Sequence, residues 1–347
     1  MPDEPLLLRD YDYDLPEDLI AQTPVEPRDA SRLLVLDRAG GRFEHRVFRE
    51  IGDYLAPGDL LVVNDTRVLP ARLRGHRPSG GEVEILLLAR RSPGLWQALV
   101  RPGRRLRAGA EVVLTTLDGS RSEVAVIAAR EPEGLALVRL PGPVEEDLAA
   151  FGEMPLPPYI HQRLADPERY QTVYAEHRGS AAAPTAGLHF TPALLGELRE
   201  QGVGMARLTL HVGIGTFRPV KVEDAQQHEM HAEWYHVPAE TLAAIQRTKA
   251  SRGRIVAVGT TSCRTLESVD LTAPVDEAQS GWTRLFITPG HRFQVVDQLI
   301  TNFHLPRSTL LLLVSALASR ETILAAYREA VRRRYRFYSL GDAMLIR

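Results

Sequence analysis

Glu82-Val83-Glu84-Ile85-Leu86-Leu87-Leu88-Ala89 is a short apolar run that breaks at Pro93-Gly94 and resumes as Trp96-Gln97-Ala98-Leu99-Val100. The same texture extends to both sides. Strand-like runs stand at Asp59–Asn64, Glu111–Thr115, Glu123–Ala128 and Ala136–Leu140, and the breaks between runs include Ser79-Gly80-Gly81, Arg107-Ala108-Gly109 and Asp118-Gly119. β-rich runs of this length, closed off by glycine turns, predict a compact β barrel or sandwich over residues 60–150.

Beyond Met154 the pattern changes to alternating helices and strands. Thr191-Pro192 predicts a helix start, with threonine as N-cap and proline in the first turn, and Gly202 predicts its stop. A strand is expected at Met205–Leu210, a helix from about Ala239 to Arg252 and a strand at Arg254–Val258. A buried helix at Leu310–Ala318 and an amphipathic one at Glu321–Tyr335 follow. Strands separated by helices argue for an α/β domain with a largely parallel sheet. The expected division is 1–59 and 151–347 as the α/β catalytic domain, with 60–150 as the β unit.

With 347 residues and 44% apolar content, the chain can bury a sizeable core. The formal net charge of −2 does not advertise a nucleic-acid partner, and Lys221 and Lys249 are the only lysines among the basic residues. The single cysteine, Cys263, excludes an internal disulfide framework and a thiolate zinc cluster. Met1–Tyr13 carries acids and no long apolar core, so no signal peptide is expected. The longest strongly apolar stretch, Leu310–Ala318, falls short of the roughly 18 residues of a membrane span. A cytoplasmic protein without membrane contact is the expectation.

Four loops join small residues to polar groups at strand ends, where backbone N–H groups can approach a ligand. They are Ala183–Phe190, His211–Pro219, Gly259–Ser262 and Ile300–Pro306. Ligands gather at the carboxyl ends of strands in α/β sheets, so four such loops are a stronger signal than one. His228-Glu229-Met230-His231 spaces its imidazoles at i and i+3, against i and i+4 in zinc proteases, and no metal is expected. Cys263 is either a nucleophile at a helix start or a small buried residue. Arg101, Arg104, Arg105 and Arg107 crowd one loop, which is either a phosphate grip or a solvated charged turn.

Several ordered segments resemble the S-adenosylmethionine:tRNA ribosyltransferase-isomerase family of queuosine synthesis. They include Asp12-Tyr13-Asp14-Leu15-Pro16, Asn64-Asp65-Thr66-Arg67-Val68, Met154–Ile160, Ala182–Phe190, His211-Val212-Gly213, Gly215–Pro219, Met230–Tyr235, Thr301–Pro306 and Gly341–Ile346. The likeness spans essentially the whole chain. Two positions depart from it: the family usually has valine where this chain has Cys263, and often tyrosine in place of His291.

The resemblance implies a monomer with an α/β domain and a small inserted β-barrel domain. It implies S-adenosylmethionine as ribosyl donor and a tRNA carrying 7-aminomethyl-7-deazaguanine at the wobble position as acceptor. The product would be epoxyqueuosine in tRNA, with adenine and methionine released. The sulfonium acidifies the ribose C5′ hydrogens, so a base must remove one, and adenine departure calls for an acid. His189, His211 and His231 are the catalytic candidates, with Asp342, and Glu233 as an acidic alternative; base and acid are not separately assigned. Gly213, Gly215, Thr216, Thr260, Thr261, Asn302 and His304 are the candidates for holding the donor. Arg101, Arg104 and Arg105 are those for the tRNA backbone. Two rival classes are an RNA methyltransferase, for which the expected glycine-rich loop and acidic strand end are missing, and a non-catalytic RNA-binding barrel.

Overall fold

The computed structural model describes residues 5–103, 106–162, 164–213, 215 and 222–347. In chain order the strands are β1 Arg32–Asp37, β2 Arg42–Val47, β3 Leu60–Asn64, β4 Thr66–Val68, β5 Arg72–His76, β6 Glu82–Ser92, β7 Leu95–Arg101, β8 Glu111–Thr115 and β9 Ser122–Arg130. Then come β10 Leu135–Arg139, β11 Gly152–Glu153, β12 His177–Ser180, β13 Gly204–Leu210, β14 Glu233–Val237, β15 Ile255–Val258, β16 Gln279–Thr283, β17 Gln298–Asn302 and β18 Ala343–Ile346. The helices are α1 Gly142–Glu146, α2 Leu148–Phe151, α3 Pro192–Glu200, α4 Ala239–Ala250, α5 Thr260–Leu266, α6 Thr309–Ala318 and α7 Arg320–Arg332.

The chain divides into two units, one of residues 1–66, 158–177 and 184–347, the other of residues 67–157 and 178–183. In the second unit β5, β6, β7, β10, β9 and β8 pair in that order, and β8 returns to β5 to close a six-stranded antiparallel barrel. Closure occurs at Gly75, where a Cβ would lie 2.3 Å from the Val113 carbonyl oxygen. A full ring removes the unpaired edges that a β unit otherwise exposes. Of the two forms the strand texture allowed, barrel and sandwich, the protein adopts the barrel.

The first unit holds a nine-stranded sheet in the order β16-β14-β13-β3-β15-β17-β18-β1-β2. It is mixed, not largely parallel as the sequence suggested: four neighbouring pairs are parallel and four antiparallel. The reason lies in the connections. After β17 the chain runs through α6 and then α7, whose axes turn by 113° at Ser319. Two helices bring it back to the sheet edge it left, so β18 descends antiparallel to β17. A single crossover helix would have kept the strand parallel. Leu60–Asn64, which shared the texture of the barrel strands, is instead a central strand between β13 and β15, with all five residues buried.

Alternation along the central strands builds two cores. Leu34, Leu36, Val62, Ile255, Ala257 and Leu299 join residues of α4 to α7 on one face. Leu33, Val35, Leu61, Val63, Val256 and Ile300 join residues of α3 on the other. The cap expected at Thr191 is present, its hydroxyl oxygen accepting from the Leu194 amide at 3.1 Å, and Ser308 caps α6 by accepting from Leu311 at 3.2 Å. Among the described residues no single helix is long and apolar enough to cross a membrane.

Candidate active site

β3, β13, β15 and β17 run parallel, so their carboxyl ends share one edge of the sheet. The pairing of Asn302 with Ala343, and of Leu33 with Ala343, brings the starts of β18 and β1 to the same edge. β14, antiparallel to β13, starts there too. Three of the four loops singled out in the sequence leave from these strand ends, and the Thr185–His189 turn packs against β17.

Asn64 ties the edge together. Its amide nitrogen donates to the Leu210 carbonyl at 3.0 Å and to Thr261 Oγ1 at 3.2 Å. Its amide oxygen accepts from the backbone of Thr66 and Leu210, both at 3.1 Å. A buried amide with its capacity filled this way fixes three loops relative to one another. Gly259, at φ +89°, turns the chain from β15 into α5.

His211, at the end of β13, has Nδ1 2.8 Å from Thr66 Oγ1. Its ring stacks on Trp234 with centroids 5.3 Å apart. Burial lowers its pKa to about 4, and the nearby His177 adds to this, so the ring is neutral at pH 7. Among the described residues nothing bonds Nε2, which leaves one ring nitrogen open.

His189 differs. Thr185 donates its hydroxyl to Asn302 Oδ1 at 2.8 Å, which turns the Asn302 amide nitrogen toward His189 Nε2 at 3.1 Å. Nε2 therefore accepts, and Nδ1 carries the hydrogen given to Ser31 Oγ at 2.7 Å. Burial, then the charges of Arg28, Arg336 and Arg169, push the pKa down to about 3. Both nitrogens are occupied, which is a different setting from the free proton carrier expected. Gly187 in the same turn cannot be larger, since a Cβ would sit 2.1 Å from the Tyr174 hydroxyl oxygen.

Asp342, expected as catalytic, is buried, and burial raises its pKa. Its oxygens accept from the backbone N–H groups of Arg32 at 2.9 Å and Arg336 at 2.8 Å. They hold the starts of β1 and β18 and are not open to a substrate proton. His304 is buried, with Nε2 2.8 Å from Thr301 Oγ1 and its pKa lowered to about 3 by burial. His231 is half-buried, and a Cβ at Gly215 would lie 3.4 Å from its ring. Thr260 is half-buried at the start of α5. Gly213 donates its N–H to Glu233 Oε1 at 2.9 Å. Thr216, Arg104 and Arg105 lie outside the described residues. Arg101 is exposed at the end of β7 in the barrel, opposite Glu84 in register.

Four contributors were missed from sequence: Ser31, Thr66, Trp234 and Arg264. Arg264 is buried and ion-pairs with Glu233, donates to the Leu285 carbonyl at 3.2 Å, and leaves Nη2 without a partner among the described residues. A buried guanidinium beneath a glycine loop has no local signature, since its acid lies 31 residues away. Cys263 is fully buried, and burial pushes its thiol pKa up, which excludes the nucleophile reading for the fold as it stands. His291 faces Glu267 at 3.3 Å. A groove of about 420 Å³ lined by Tyr11, Gly290, Ser315 and Arg320 contains none of the site residues. The one possible metal-ligand group among the described residues, Asp65, Glu176 and His177, is not the His228–His231 pair weighed from sequence.

Comparison with known proteins finds matches over nearly the whole chain. A family model described as queuosine biosynthesis protein matches residues 8–346. A protein of Moorella thermoacetica named S-adenosylmethionine:tRNA ribosyltransferase-isomerase is 58% identical over 98% of this chain and 99% of its own length. One of the same name from Symbiobacterium thermophilum is 56% identical over the same shares. The crystal structure of an S-adenosylmethionine tRNA ribosyltransferase from Thermotoga maritima is 43% identical, with a TM-score of 0.57, covering 97% of this chain and 100% of that one.

Proposed function

This chain belongs to the queuosine biosynthesis protein family, and from that membership we propose how it acts as an S-adenosylmethionine:tRNA ribosyltransferase-isomerase. The donor is S-adenosylmethionine, and the acceptor is the aminomethyl group of 7-aminomethyl-7-deazaguanine in tRNA. The amine takes the ribosyl unit, the ring rearranges, and adenine and methionine leave to give epoxyqueuosine in tRNA. The protein works in the cytoplasm as a monomer, and proton transfer without a metal suffices for the residues' part.

The observation that carries the assignment of roles is the open Nε2 of His211 at the carboxyl edge of the sheet. A neutral imidazole, oriented by Thr66 and supported by Trp234, is suited to take the C5′ hydrogen that the sulfonium acidifies. His189 acts one step back: it fixes Asn302 and Ser31, and Asn302 faces the donor. Asp342 and His304 hold the loops. Gly213 and Gly215, with Thr216, Thr260 and Thr261, offer backbone and hydroxyl groups to the donor, and His231 is the second proton carrier. Arg101, Arg104 and Arg105 hold the tRNA backbone.

Incubation with S-adenosylmethionine and tRNA bearing the aminomethyl base is expected to release adenine and methionine, and His211→Ala to slow this by about a hundredfold, or roughly 2.7 kcal/mol of barrier, with tRNA binding retained. S-adenosylhomocysteine in place of adenine would overturn the reaction. Normal turnover by the variant would overturn the role of His211.

A further inference from the structure

Beyond His211 and Trp234, the outer end of the large sheet carries aromatic rings that the reaction as described does not use. His211, Trp234 and His236 stand as a stack: His211 and Trp234 are 22° from parallel, and Trp234 and His236 are 5° from parallel with centroids 6.2 Å apart. His236 is steadied by Ser280 Oγ, 2.7 Å from its Nδ1. Trp282 lies directly opposite Trp234 across the β14–β16 pair, on the same face, and is 63% exposed. β16 is the last strand of the sheet, so the face ends in solvent. Arg284, exposed and without a partner among the described residues, follows two positions beyond Trp282.

We propose that this face is a stacking platform for unpaired bases of the tRNA that flank the base undergoing modification. The inference rests on the proposed function. Two features argue for nucleobases. The platform is continuous with the site, because its innermost ring is His211 itself, so bases adjoining a reacting nucleotide at His211 fall next to Trp234 and Trp282. His211, Trp234 and His236 are near parallel, Trp282 beside them is exposed enough to take any base on its ring, and Arg284 supplies a cation for the connecting phosphate. With a net charge of −2 the chain offers RNA only local electrostatic holds, such as the proposed arginine loop, and stacking adds a second sequence-tolerant interaction beside them.

The test uses Trp282→Ala and Trp282→Phe in the full chain, since Trp282 is a solvent-facing edge residue outside the proposed catalytic groups. Binding of tRNA bearing the aminomethyl base is measured by fluorescence anisotropy, S-adenosylmethionine binding by calorimetry, and association state by sedimentation. The alanine variant is expected to bind tRNA about tenfold more weakly. The phenylalanine variant should stay within about threefold of wild type, and donor affinity should not change. Unchanged tRNA affinity in Trp282→Ala, with wild-type turnover normal, overturns the platform alone. A wild-type protein that turns over no tRNA overturns the underlying function, and the platform with it. A dimer that Trp282→Ala converts to monomer identifies the face as a subunit contact and also overturns the proposal.

Discussion

Acid should destabilise this protein through its buried histidines before its carboxylates matter, and single substitutions can read that effect. His189 and His304 have folded pKa values near 3, and His211 near 4, all depressed mainly by burial. In the unfolded chain each returns to about 6.5. Between those values the unfolded state binds a proton that the folded state refuses, so stability falls as pH falls below about 6.5 and levels off near pH 3 to 4. Each histidine contributes a slope of about 1.2 kcal/mol per pH unit between pH 6 and 5, or at most about 4 kcal/mol per unit for the three together. Asp65 and Asp342 act the other way: burial raises their pKa, so the folded state binds those protons first and the net slope is reduced. The difference between variants avoids that offset. Urea unfolding at pH 7, 6 and 5 should show wild type losing more stability than His189→Gln, by about 0.7 kcal/mol from pH 7 to 6 and about 1.2 kcal/mol from pH 6 to 5, whatever the variant loses at pH 7. Equal slopes in the two proteins would mean that His189 titrates alike folded and unfolded, and the argument for a desolvated ring fails.

Arg264→Leu should cost about 3–5 kcal/mol in urea unfolding, because Glu233 is left as a buried charge, and Glu233→Gln added to it should recover part of that; a loss under about 1 kcal/mol would refute the buried pair. Cys263→Val should keep near-normal turnover, since the thiol is fully buried and apolar in function, whereas a hundredfold loss with an intact fold would restore it as a reacting group. Neutralising Arg101, Arg104 and Arg105 together should flatten the salt dependence of tRNA binding without changing donor affinity, and an unchanged slope would leave the loop as solvated surface.

The barrel was largely legible in the sequence because its signals are local. Glycine turns and alternating strands mark Glu82–Ser92, Leu95–Arg101 and Glu111–Thr115 almost at their observed ends. The helix cap at Thr191 was equally local. The sheet direction was not, because it depends on how α6 and α7 return the chain, a matter of tertiary packing. The site was half legible. Polar and glycine residues at strand ends announced the loops, but which histidine keeps a free nitrogen depends on Ser31, Thr66 and Asn302, whose partners lie up to 158 residues away. Arg264 was invisible for the same reason.

The position of β18 has a consequence for synthesis. Ala343–Ile346 fills the slot between β17 and β1, so Leu33 finds its parallel neighbour Ala343 only after more than three hundred further residues have been made. Until then one margin of β1 has nothing to bond to, and contacts of such separation form slowly. Asp342, which clamps Arg32 and Arg336, is made in the same stretch as β18. A nascent chain can close its barrel early, since that ring is made wholly from residues 72–139, yet it must hold an unfinished sheet until residues 343–346 have been made. A chain stopped before Ala343 would therefore have a sound barrel and an unfinished sheet, with a bare strand margin open to a second nascent copy.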